Sequence, residues 1–101
     1  MIAWFRRWMG WGEVDAVAVT LAEVFSRHVT VSQVTKSTVV EKALLLTLAQ
    51  AKGEKRKRQW SGSKTARLAN TFGWRLVALG YPKEFALPLA KKLAVQLSQQ
   101  K

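Results

Sequence analysis

Lys64-Thr65-Ala66-Arg67-Leu68-Ala69-Asn70-Thr71-Phe72-Gly73-Trp74-Arg75-Leu76-Val77-Ala78-Leu79-Gly80 carries the plainest helical pattern in the chain. At 3.6 residues per turn, Thr65, Leu68, Ala69, Phe72, Leu76 and Leu79 fall within an arc of about 100°, the stripe a helix buries against a core. Gly73 lies on the same side, where a missing side chain permits a close helix crossing. The opposite side carries Lys64, Arg67, Thr71, Trp74, Arg75 and Ala78. Gly80 suits the position just past a helix end, and Tyr81-Pro82 restarts the chain, with Pro82 fitting a first helical turn.

Working outward, residues 85–97 repeat the pattern, with Phe85, Ala86, Leu89, Ala90, Leu93 and Leu97 as an inner face. Pro88 inside this segment is expected to kink or split it, because proline lacks the N–H that the ladder needs. Upstream, residues 39–51 are apolar around most of the circumference, which predicts the central helix of a bundle, ending near Lys52-Gly53. Thr38 and Glu41 form a capping-box candidate at its start. Earlier still, Val14, Val17, Ala18, Leu21, Val24, Phe25 and His28 recur at helical spacing from about Glu13 to His28. Acids at its start and Arg27 and His28 at its end suit the helix dipole. Residues 29–38 read as a turn or short helix, with Thr30 and Gln33 as a capping box and Val29 reaching Val34 as a staple. The first nine residues read as a short amphipathic helix ended by glycine.

The expectation is an all-α, compact bundle of four to five helices in one domain. A length of 101 residues fits a single core. The apolar fraction of 49% is enough to build it without disulfides, and there is no cysteine to form one. That absence suits a reducing compartment, and the cytoplasm is the expected location.

Charge is concentrated. The chain carries +11, and residues 52–75 hold eight basic residues against one acidic, a net +7. The densest part, Lys52, Lys55, Arg56, Lys57 and Arg58, reads as a basic loop over residues 52–63. Trp60, Ser63 and the outer helix face with Lys64, Arg67, Thr71, Trp74 and Arg75 complete a candidate nucleic-acid site. Cations displace counterions from phosphates, hydroxyls bond to their oxygens, and indoles stack on bases. A solvated loop and an ordinary wet helix face are the plain alternatives for the same residues. Ser61-Gly62-Ser63-Lys64-Thr65 also suits an anion at a helix start, but the spacing is not that of a P-loop.

Catalytic patterns are missing. His28 is the sole histidine and Asp15 the sole aspartate, so no metal set, paired-aspartate centre or nucleophilic triad can be assembled. The chain is expected to have no enzymatic activity, metal or cofactor. No apolar run reaches the roughly 18 residues of a membrane span, and acids interrupt the best candidate. Trp4, Phe5, Trp8 and Trp11 beside Arg6 and Arg7 either close the end of the bundle core or form a second candidate contact, for a partner protein or a membrane surface.

Residues 35–44, from Thr35 to Leu44, resemble the second helix of ribbon-helix-helix DNA-binding proteins, with Val17 to Leu21 in the place of their strand. That resemblance implies an obligate dimer reading the major groove with a two-stranded ribbon, although residues 17–21 equally fit a helix. In size, helix number and basic face the chain is also similar to the small α-helical subunits of CRISPR effector complexes, which line the path of a displaced or guide-paired strand. The function expected is therefore non-catalytic binding of DNA or RNA backbone, as an accessory subunit of a bacterial, plasmid or phage nucleoprotein complex. A protein-interaction adaptor or inhibitor and a membrane-surface protein are the rivals.

Overall fold

The computed structural model describes residues 11–99. The described residues form four α-helices, α1 (Trp11–His28), α2 (Ser37–Arg58), α3 (Gly62–Ala78) and α4 (Lys83–Ser98), with a 3₁₀ turn at Val31–Gln33 and no strand. The all-α bundle expected from periodicity is the fold observed. The helix read over the first nine residues, with Trp4, Phe5 and Trp8, lies outside the described residues. Trp11 is the first residue of α1, and Gly12 continues the helix.

Every helix contributes to one core. Val14, Leu21 and Phe25 of α1, Leu44 and Leu48 of α2, Leu68, Phe72 and Leu76 of α3, and Leu89, Leu93 and Leu97 of α4 are buried. Full burial of each such side chain is worth about 1.5–3 kcal/mol. Phe25 organises the aromatic centre, with ring centroids 6.1 Å from Phe72, 5.9 Å from Tyr81 and 6.1 Å from Phe85. The Tyr81 hydroxyl donates to the Val29 carbonyl, so the turn after α1 is tied to the turn after α3. Burial raises the Tyr81 pKa above its ordinary value and keeps the phenol in its donating form.

The centre of the bundle differs from expectation. α3 packs most extensively, against both α1 and α4, whereas α2 meets α1 and only lightly α4. Leu45 of α2 is 66% exposed and Leu46 is exposed as well, so that helix is peripheral despite its apolar composition. Gly73 explains how α3 takes the central place. A Cβ built there would lie 2.7 Å from the Ala90 Cβ, so the two helices cross at a distance only glycine allows.

Several local expectations need correction. α2 begins at Ser37 after Lys36, and Thr38 makes no cap. The basic run expected as a loop over residues 52–63 is helical through Arg58, leaving residues 59–61 as the link. Gly53 disfavours helix by only about 1 kcal/mol, and the Lys and Arg after it are good helix formers that complement the dipole at a C-terminus. Leu79 is 48% exposed because it lies past the last turn of α3. His28 is exposed at the end of α1 and adds nothing to its inner face. Pro82 precedes α4 as its N-cap, and Pro88 sits within α4 without splitting it. Residues 17–21 are helical, which removes the strand that the ribbon-helix-helix resemblance requires. The expected capping box of Thr30 and Gln33 is present, with Gln33 Oε1 accepting the Thr30 N–H at 3.0 Å, and Gly80 takes φ +108° just past α3.

Candidate polyanion interface

The cationic segment is helical. α2 carries Lys52–Arg58 as its last two turns, and the chain turns back after three residues to start α3. The helix ends where the Trp60 N–H bonds to the Lys55 carbonyl at 3.1 Å and the Gln59 N–H to the Arg56 carbonyl at 3.4 Å. Gln59 adopts φ 54° to make this stop. Trp60 then drops into the core and is only 6% exposed. It presents no open face for a base, so its expected stacking role is corrected to that of an anchor. Its ring lies 5.8 Å from the Arg58 guanidinium carbon.

The five cations of this arm have different neighbours. Lys55 is half-buried, and its Nζ donates to the Leu97 carbonyl at 2.7 Å, satisfying one of the free carbonyls at the end of α4. Arg58 donates from Nε to Glu54 at 2.6 Å and from Nη1 to Glu13 of α1. Those hydrogen bonds, with Glu54 first and then Glu13, raise its pKa further above an arginine's ordinary value. Its charge is thus matched locally. Arg56 and Lys57 are exposed and Lys52 half-buried, and among the described residues none of the three has an acidic partner within ion-pair distance.

On α3 the expected face divides. Arg67 donates from Nε and Nη2 to the two carboxylate oxygens of Asp15 at 3.3 Å each, and the Thr71 hydroxyl reaches the same carboxylate at 3.4 Å. These two residues join α3 to α1 and do not wait free for a phosphate. Ser63 is exposed, with its hydroxyl 3.4 Å from that of Ser61. Lys64 is half-buried and Arg75 exposed, with no acid paired to either among the described residues. Trp74 is 46% exposed but belongs to the side of α3 that meets α4, where Lys83 Nζ lies 5.7 Å from its ring centroid.

Of the twelve expected residues, then, Arg56, Lys57, Ser63 and Arg75 are the most open to a polyanion, with the half-buried Lys64 beside them. Lys52 flanks them. Lys55, Arg58, Arg67 and Thr71 also hold helices together, Trp60 is buried, and Trp74 faces another way. Sequence reasoning missed Lys83, because nothing in helical periodicity relates a residue after the Gly80–Pro82 turn to an indole before it. The side chains of Trp4, Phe5, Trp8 and Trp11 lie outside the described residues. No group of three or more metal-ligating side chains occurs among the described residues, and none of their helices is long and apolar enough to cross a membrane. In comparisons with known proteins, no family model, curated protein or solved structure matches the chain.

Proposed function

We propose that the chain is a non-catalytic binder of nucleic-acid backbone, using the end of α2 and the start of α3. The observation that carries this reading is the pair Arg56 and Lys57, exposed and with no acid within ion-pair distance among the described residues, on a helical arm. Lys64 and Arg75 continue positive charge along α3. Such a surface neutralises phosphates and releases their counterions without reading bases, which suits an accessory subunit of a nucleoprotein complex. Base stacking has a smaller part than composition implies, since Trp60 is buried.

The test is a mobility-shift comparison of single- and double-stranded DNA and RNA at several salt concentrations. Binding should weaken steeply with salt, and Arg56→Gln or Lys57→Gln should each lower the log–log slope on duplex DNA by about one. Arg58→Gln and Arg67→Gln should lower it less, because carboxylates already neutralise both side chains. Failure to shift any of the four nucleic acids, or a slope near zero, sinks the proposal.

A further inference from the structure

Between α3 and α4 the surface is hollowed into a trough on the side of α3 away from Arg67 and Asp15. One depression, of about 530 Å³, is lined by Gly62, Ala66, Ala94, Val95 and Ser98 together with Lys55 and the largely buried Trp60 and Thr65. A second, of about 300 Å³, is lined by Asn70, Trp74, Leu87, Ala90 and Lys91 among others, and shares Ala66 and Ala94 with the first. The shared residues place the two depressions side by side along the α3–α4 seam. From Gly62 to Trp74 the trough follows α3 for about 18 Å at 1.5 Å per residue, or roughly three helical turns.

We propose that this trough docks an acidic amphipathic helix of a partner protein. Its floor is apolar, and the half-exposed Trp74 and the exposed Val95 stand in its walls. Lys55 and Lys91 line it, Lys83 sits over Trp74, and no carboxylate is among the lining residues of either depression. The Trp74 indole at one end offers a single stacking face, but the alanine methyl groups along the floor give a nucleic acid no succession of base platforms. They do allow the apolar ridge of a helix to approach closely, while the lysines meet glutamates or aspartates on its flanks. An exposed indole at one end of such a groove is a typical binding anchor. This site does not depend on the polyanion surface, whose open cations lie on the end of α2 and on the other side of α3.

The test uses a helix-forming peptide of about 14 residues, enough to line the trough. It carries leucines at i, i+3, i+4 and i+7 flanked by glutamates, and a scrambled peptide of the same composition serves as its comparison. Titrated into the full chain and followed by amide NMR, the amphipathic peptide should bind saturably and shift Ala66, Asn70 and Ala94. It should bind about tenfold more tightly than the scrambled one. Ala66→Arg fills the trough while adding positive charge, so a loss of about tenfold would report shape and not charge. Trp74→Ala should weaken binding too, whereas Leu45→Arg, on α2, should not. Equal binding of the two peptides, no saturable binding, or undiminished binding by Ala66→Arg would overturn the proposal. So would an oligonucleotide that shifts Ala66 and Ala94, since it would assign the trough to nucleic acid. A salt slope lowered by about one in Arg56→Gln with peptide binding intact would separate this site from the polyanion surface.

Discussion

Two helix ends in this molecule share a plan and differ in one residue. α2 closes with Trp60 N–H to Lys55 carbonyl and Gln59 N–H to Arg56 carbonyl, and α3 with Tyr81 N–H to Leu76 carbonyl and Gly80 N–H to Val77 carbonyl. Both are Schellman closures, in which a residue of positive φ turns the backbone so that two otherwise free carbonyls are satisfied. In each, a buried aromatic follows, Trp60 in one and Tyr81 in the other. The residue of positive φ is Gly80 after α3 but Gln59 after α2. A glycine is therefore not what locates the end of α2. The buried indole is, and it holds a glutamine in a conformation that side chains disfavour.

The largest test of this comparison is Trp60→Ala, which should destabilise the protein by about 3–5 kcal/mol in urea unfolding. It should also speed hydrogen exchange in the last turn of α2, because the N–H of residue 60 would no longer be held against Lys55. A small loss of stability with the last turn still protected would show that Arg58 and its carboxylates, and not the indole, fix the end.

Next come the two residues that differ. Gly80→Ala should cost about 1–3 kcal/mol, since φ +108° is foreign to a side chain. A Cβ there meets Val31 Cγ2 at 3.6 Å, an ordinary contact, so backbone strain and not crowding accounts for the loss. Gln59→Gly should act in the opposite sense and stabilise by up to about 1 kcal/mol. Thermal midpoints of the two variants read both signs, and a destabilised Gln59→Gly would refute the strain assigned to that position.

Gly73 supplies a contrast within α3. Gly73→Ala improves helix propensity by about 1 kcal/mol, yet the new methyl would stand 2.7 Å from the Ala90 Cβ and force the backbones apart. The expected net effect is a loss of about 1–2 kcal/mol, read from the urea midpoint. A stabilised variant would mean that α3 and α4 are less tightly crossed than the structure has them.

These positions also show what sequence could and could not reveal. The faces of α1, α3 and α4 were legible because apolar residues recur at helical spacing, and the inward place of Gly73 followed from the same geometry. The end of α2 was not, because Gly53 resembles a stop while Gln59 does not, and only the tertiary burial of Trp60 overrides both. Charge density around residues 52–58 was plain, but its division was hidden. Glu13 and Asp15 lie more than forty residues from Arg58 and Arg67, and no local pattern brings α1 against them. Trp60 and Trp74 have the same composition-level meaning and opposite fates, since the first follows a helix end into the core and the second sits where α3 and α4 leave a trough.

The smallest effect sharpens the comparison furthest. Gly53 lies in α2 with nothing within 4 Å of an added Cβ, so Gly53→Ala meets no steric obstacle. If residues 52–58 are helical in solution, alanine should raise stability by about 0.5–1 kcal/mol through propensity. The slope of nucleic-acid binding against salt should stay unchanged, because Arg56 and Lys57 keep their places on the arm. A flexible basic loop would instead respond with a change in binding and no consistent helix-propensity gain, as its conformational freedom was reduced. The two measurements together therefore separate a preformed cationic arm from one that orders only on its ligand.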